Sequence, residues 1–153
     1  MHYLDLTLPT AAENLALDEA LLDEAEAASD SIETLRVWES PELVVVVGRS
    51  SELHREVNVP YCREMGIPVL RRPSGGAAVI MGPGCLMYAL VLSRELRPEI
   101  RRIDDAHRYV LGKIVTALAE HAPGVACAGT SDLVLAQGDA VDPRLLKCSG
   151  NSV

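Results

Sequence analysis

An α+β fold with a largely antiparallel or mixed sheet and packed helices is what this sequence predicts, from three observations. Short β-branched runs are joined by turns of a few residues, as in antiparallel sheets. Two longer segments instead follow the helical period. The apolar fraction, 48% of 153 residues, is enough to build a packed core. No internal repeat, low-complexity tract or linker interrupts the chain, so residues 1–153 are expected to form one domain.

The elements follow in order. Thr10 and Glu13 have capping-box spacing, and Ala11 to about Ala27 reads as an amphipathic helix with Leu17 and Leu21 on one face. Thr34 to Glu39 and Leu43 to Val47 read as strands, expected to be neighbours because only Ser40-Pro41-Glu42 separates them. Pro60 to Met65 reads as a short helix stopped by Gly66, and Ile67 to Leu70 as a strand. Ala77 to Met81, a Gly82-Pro83-Gly84 turn, and Leu86 to Leu92 with Tyr88 come next. Asp104 to His121 carries Val110, Leu111, Ile114, Val115 and Leu118 at helical spacing, with Ile103 before it and Asp104 as the expected cap. After Pro123-Gly124 the strands resume: Leu133 to Ala136, a turn near Gln137-Gly138-Asp139, and a run into Leu145-Leu146-Lys147-Cys148.

Charge and composition exclude several classes. Twenty-two acidic residues against fourteen Lys and Arg give a net charge of -8, so no nucleic acid or anionic membrane partner is expected and any bound anion must be held by local cations. Phenylalanine is absent, and Trp38 with four tyrosines offers few platforms for base stacking. No run approaches the roughly 18 to 20 apolar residues of a membrane span, and Met1-His2-Tyr3-Leu4-Asp5 lacks the basic start of a signal peptide, so a soluble cytoplasmic protein is expected. Cys62, Cys85, Cys127 and Cys148 form no Cys-x-x-Cys pair, and each is read first as a small buried apolar residue. His54, His107 and His121 show no metal-ligand spacing, and His107 is expected to be structural.

Two stretches could carry chemistry. Arg71-Arg72-Pro73-Ser74-Gly75-Gly76 reads either as a hairpin turn with solvated arginines or as an anion cradle. In the cradle, glycine backbone N–H groups face a ligand and Arg72 adds a charged contact. The second stretch is Ser131-Asp132-Leu133-Val134 with Lys147-Cys148-Ser149-Gly150-Asn151-Ser152. Lys147 is one of only two lysines among otherwise all-arginine cations, and a compact ammonium can follow charge between a carboxylate and a phosphate.

Together these pieces resemble the lipoate-protein ligase family, whose catalytic domain type is shared with biotin ligases and octanoyltransferases. The resemblance runs through Asn14-Leu15-Ala16-Leu17-Asp18-Glu19-Ala20-Leu21, Arg36-Val37-Trp38, Val45-Val46-Val47-Gly48-Arg49, Arg71 to Val79, Ser131 to Val134 and Lys147 to Ser152, in the family's order. It implies a class II biotin/lipoyl synthetase-like fold. It further implies ATP-dependent activation of lipoate or octanoate to an acyl-adenylate, then transfer to a lysine of a lipoyl domain. By that resemblance Lys147 is catalytic, and Asp132 orients it or holds Mg²⁺. Arg72 and the backbone of Ser74, Gly75, Gly76, Ala77, Ala78, Val79 and Ile80 hold the ligand, with Ser149 and Gly150 beside Lys147. The implied partners are lipoyl-domain proteins, namely 2-oxoacid dehydrogenase subunits and the glycine cleavage H protein.

The chain departs from the family pattern at Ala77, where a third glycine is usual, and at Met81-Gly82, where His-Asp is usual. Gly82-Pro83-Gly84-Cys85-Leu86 is closer to the related octanoyltransferases, which implies a rival chemistry: a thioester on Cys127 or Cys85, with no ATP. A third reading is a non-catalytic acyl or nucleotide-binding module or an inactive fragment. Because the sequence stops at Val153 without a cap or tail, the catalytic domain is expected to lack its C-terminal elements here.

Overall fold

The computed structural model describes residues 1–137 and 144–152. The chain forms two compact units, Met1–Leu96 and Arg97–Val153. Mixed α+β architecture is present in both, as the sequence predicts.

The first unit contains two three-stranded sheets. One has β2 (Thr34–Glu39) at its centre, parallel to β1 (His2–Asp5) and antiparallel to β6 (Leu86–Val91). The other has β3 (Val44–Val47) at its centre, parallel to β4 (Val69–Arg71) and antiparallel to β5 (Val79–Met81). The expectation that β2 and β3 pair with each other is therefore corrected. Both edges of β2 are already taken, and the intervening bend, where Ser40 Oγ donates to the Glu42 carbonyl at 2.7 Å, carries the chain into the other sheet.

All four residues of β3 are buried, so its side chains meet packing on both faces. On one face Val44 and Val46 pack with Ala11, Trp38 and Met81 under α1 (Ala11–Ala27). On the other, Val45 and Val47 pack with Val57 and Cys62, contributed by the segment of α2 (Leu53–Glu56) and α3 (Val59–Glu64). Such a strand reads as an unbroken apolar run rather than an alternating one, as Val44 to Val47 does. Met81, standing where the family commonly has histidine, is 4% exposed in this core.

The capping box of α1 forms as its spacing predicts. Thr10 Oγ1 accepts from the Glu13 amide at 3.2 Å, while Glu13 Oε2 accepts from the Thr10 amide at 3.0 Å. The amphipathic reading of α1 needs correction, because its buried residues are Ala11 and Asn14 rather than a leucine stripe. What fastens the helix is Arg36 on β2, a guanidinium with no exposure. Its Nη1 donates to the Asn14 carbonyl at 2.8 Å and to Asp18 Oδ1 at 2.5 Å; its Nη2 donates to Asn14 Oδ1 at 2.5 Å and the Leu6 carbonyl at 2.8 Å. Trp38 Nε1 completes the carboxylate by donating to Asp18 Oδ2 at 3.0 Å. Burial pushes the Asp18 carboxyl up from its ordinary value, against the opposing pull of Arg36 and Trp38.

The second unit holds α4 (Ile103–Leu118) and an antiparallel meander of β7 (Val125–Ala128), β8 (Asp132–Gln137) and β9 (Arg144–Gly150). His107 and Leu111 are the buried residues of α4, in accord with a structural histidine, and α4 packs against β7. The cap is Arg102, without a side-chain bond, and Asp104 lies inside the first turn, where its charge faces the positive end of the helix dipole. The turn expected near Gly138 and Asp139 lies outside the described residues.

Replacing Asn14 by alanine strands the Leu8 amide and removes one of the two acceptors of the buried Arg36 Nη2. The expected cost is about 2 to 4 kcal/mol. Trp38 is the only tryptophan and touches this network, so its fluorescence in a urea titration reads the loss directly. An unchanged midpoint would show that the network is dispensable.

Candidate functional site

In the first unit the candidate ligand segment is the connection from β4 to β5, residues 72–78. Because β4 and β5 lie on opposite sides of β3, this segment is a crossover above the end of β3 and not the hairpin turn that the sequence permits. It docks on the Gly48 to Ser51 segment: the Arg49 amide donates to the Ser74 carbonyl at 2.9 Å, and Ser51 Oγ to the Gly76 carbonyl at 3.1 Å. A Cβ at Gly48 would collide with the Gly76 carbonyl, so glycine is required there by close approach. Gly76 itself has φ 91°, in the left-handed region. Ala77 has no positive φ, so the third glycine usual in the family is not needed by this backbone.

Two arginines hold the crossover from within. Arg71 Nη1 donates to the carbonyls of Gly48, Arg49 and Ser51 at 2.5, 3.0 and 3.2 Å. Arg72 donates to Gly75 through Nε at 3.2 Å and Nη2 at 2.6 Å, to Ala77 through Nη2 at 3.0 Å, and to Val46 through Nη1 at 3.2 Å. Burial pulls the Arg72 guanidinium down from its ordinary value, while the Glu56 carboxylate pulls it up. Glu56 Oε2 accepts from the Ala78 amide at 2.6 Å. Glu56 was not legible in the sequence, for a lone glutamate at the end of a four-residue helix carries no pattern. Beyond it, Val79 and Ile80 are 40% and 71% exposed on β5.

Gly75 differs from its neighbours. Its φ is not positive, and a Cβ there meets nothing within 4 Å. Nothing inside the first unit explains a glycine at this position, and the open space beside it is available to a ligand.

In the second unit a register shift sets the geometry. Asp132 pairs with Gly150 and Leu133 with Ser149, but Val134 pairs with Lys147, leaving Cys148 as the extra residue of a bulge. In an unbroken ladder Cys148 would stand opposite Val134, on the face that Asp132 shares, and Lys147 would point away. The bulge brings Lys147 to that face. Lys147 Nζ lies 2.8 Å from Asp132 Oδ2, and the lysine side chain remains 60% exposed. Gly150 leaves room for it, since a Cβ there would lie 3.4 Å from Lys147 Cε and Nζ. Asn151 closes the end, its Nδ2 donating to the Ser131 carbonyl at 2.6 Å and Ser149 Oγ bonding its Oδ1 at 3.4 Å.

The cysteine expectation holds only for Cys62; Cys85, Cys127 and Cys148 are exposed. Cys127 pairs with Leu133, so strand alternation puts its thiol on the face opposite Asp132 and Lys147. Cys85 ends the Gly82 turn, donating its amide to the Gly82 carbonyl at 3.0 Å. Among the described residues no three His, Cys, Asp or Glu side chains are grouped to hold a metal. No described helix is long and apolar enough to cross a membrane.

A series of alanine substitutions separates the roles of the glycines. Gly48→Ala and Gly76→Ala should each cost about 1 to 3 kcal/mol, from overlap and from a left-handed backbone respectively. Gly75→Ala should leave the urea midpoint where it is while weakening ligand binding. Destabilisation by Gly75→Ala to the same degree would contradict the open-space reading.

Comparison with known proteins agrees with this layout. The model of the lipoyl protein ligase A/B catalytic domain matches residues 10–153. A protein of Aeropyrum pernix that carries the name lipoate-protein ligase A is 37% identical over 105 residues, 69% of this chain and 37% of that protein. The octanoyltransferase LipM of Carboxydothermus hydrogenoformans is 35% identical over 78 residues, 51% of this chain and 29% of the relative. Among solved structures, the bi-partite lipoate protein ligase of Thermoplasma acidophilum, studied with its E2 lipoyl domain, shares the fold with a TM-score of 0.77 at 23% identity, over 94% of this chain and 52% of that one. The chain thus spans about a third of the curated relatives it matches and half of the solved chain. With the family model extending over all but the first nine residues, the chain belongs to the lipoyl protein ligase A/B catalytic domain family.

Proposed function

We propose that this chain serves an ATP-dependent lipoate-protein ligase. The observation that carries the reading is the Lys147–Asp132 pair: a cation oriented by a carboxylate 2.8 Å away, yet mostly open to solvent. Joining a carboxylate to the α-phosphate of ATP brings two anions together. At about 4 Å and an effective dielectric near 20 their repulsion is on the order of 4 kcal/mol, and an ammonium between them offsets it. Lys147 has the charge, the reach and the freedom for that task, and Asp132 keeps it pointed outward.

In the reaction the carboxylate oxygen of lipoate bonds to the α-phosphorus as the bond to pyrophosphate breaks. The lysine amine of a lipoyl domain then bonds to the acyl carbon, AMP leaves, and the amine proton passes to solvent. This second step requires no protein nucleophile. The backbone from Ser74 to Ile80 is the proposed ligand cradle, with the Gly75, Gly76 and Ala77 amides available to a ligand oxygen and Arg72 fixing the segment's shape; Ser149 and Gly150 frame Lys147. Mg²⁺ commonly binds one or two carboxylates together with substrate phosphates, and Asp132 supplies one such carboxylate; the ion would neutralise phosphate charge. Lipoyl domains of 2-oxoacid dehydrogenase subunits and of the glycine cleavage H protein are the proposed acceptors, with octanoate as an alternative acid.

A second reading, octanoyl transfer through a cysteine thioester, draws support from the LipM relatives and from the exposure of Cys127 and Cys85. Against it, strand register turns Cys127 away from Lys147. The two readings, and that of a binding module without turnover, differ in one assay. The ligase reading expects lipoate-dependent exchange of labelled pyrophosphate into ATP, falling about a hundredfold or more in Lys147→Ala. Exchange undiminished in that variant, or a covalent octanoyl adduct lost on mutating Cys127 or Cys85, would count against it.

A further inference from the structure

The crossover between β4 and β5 exposes backbone donors. Among the described residues the amides of Gly75, Gly76 and Ala77 donate to no protein atom, whereas the next amide, Ala78, donates to Glu56 Oε2 at 2.6 Å. A succession of N–H groups on a glycine-rich segment attracts an anion. One end of this succession is already met by an anion belonging to the chain.

That placement is built by the core. Glu56 ends α2 between Leu53, which packs on the core beneath β3, and Val57, 8% exposed within it. The Val57 amide donates to the Leu53 carbonyl at 2.9 Å, fixing the turn that aims the Glu56 side chain. Ala78 packs against the same core cluster, so donor and acceptor are both anchored to it. Arg72, which ties the carbonyls of Gly75 and Ala77, holds the segment's other side.

We propose that Glu56 is a resident anion of the glycine crossover, occupying the Ala78 amide in the free protein and giving it up to the carboxylate or phosphate of an incoming ligand. The exchange leaves no N–H unpaired, since one oxygen anion replaces another. Glu56 is exposed, so its released carboxylate returns to water at little cost. The proposal rests on the ligase reading for the ligand's identity, but not for the Glu56–Ala78 contact.

Calorimetric titration of lipoate and of ATP, separately, into the wild-type protein and into Glu56→Gln tests it. The Ala78 amide resonance is followed in the ligand-free proteins. Glutamine keeps an acceptor but removes the competing charge, so the variant should bind one or both ligands about tenfold more tightly. Which arm responds tells whether the displacing anion is carboxylate or phosphate. In the ligand-free spectra the Ala78 amide should shift on substitution. Equal or weaker binding by the variant, with the wild type binding normally, overturns the displacement and leaves the ligase reading intact. An Ala78 resonance unmoved by the substitution overturns the contact itself. Failure of both proteins to bind either ligand overturns the ligase reading and the displacement together.

Discussion

A guanidinium without access to water must find its counter-charge and its acceptors inside the chain, and Arg36 imposes that demand on the first unit. Its donors reach the Leu6 carbonyl, both the carbonyl and the side chain of Asn14, and the Asp18 carboxylate. Satisfying them sets α1 at a fixed angle on β2 and draws in the Leu6 to Thr10 segment, which Asn14 holds through Leu8 and Thr10. Leaving one charge of such a pair unmet inside a protein costs several kcal/mol, a large share of a small unit's net stability. The geometry is therefore strongly specified. With α1 in place, one face of β3 is covered and the end of that strand becomes a firm base for the glycine crossover.

Both regions proposed to meet a ligand are made by departures from regular sheet. In the first unit the crossover at the end of β3 uses glycine for an approach at Gly48 and a dihedral at Gly76 that side chains would forbid. In the second, a single extra residue in β9 brings Lys147 to the face of Asp132. Bulges re-aim side chains without altering composition. Lys147 is thereby held by Asp132 while its side chain stays 60% exposed, a preorganised charge of the kind that meets a charged ligand without reorganisation.

The sequence displayed its regular elements well. The limits of α1 and β2 agree with the capping box and the apolar runs, and the strand expected over Leu43 to Val47 is found at Val44–Val47, where the structure buries every residue. Strand partnership was not legible: a short turn between β2 and β3 favours pairing locally, but β1 and β6 compete for the same edges and prevail. The motifs Asn14 to Asp18 and Arg36 to Trp38 were visible as family signatures, yet their physical role as one buried network depends on a fold-level contact twenty residues apart in the chain. Glu56 and the bulge at Cys148 were illegible for the same reason. Neither has a local pattern, and each takes its meaning from a partner on another strand or loop.

Family membership leaves two chemistries, and the account here depends on activation by ATP through Lys147. Intact-mass measurement of an unmodified lipoyl domain, incubated with the protein and lipoate in the presence and absence of ATP, bears on this most directly. A parallel arm offers an octanoyl thioester of an acyl carrier and no nucleotide. The account predicts a lipoyl adduct only where ATP is supplied, and none from the thioester. Octanoylation of the domain from the thioester alone, with no lipoylation when ATP is present, would contradict it.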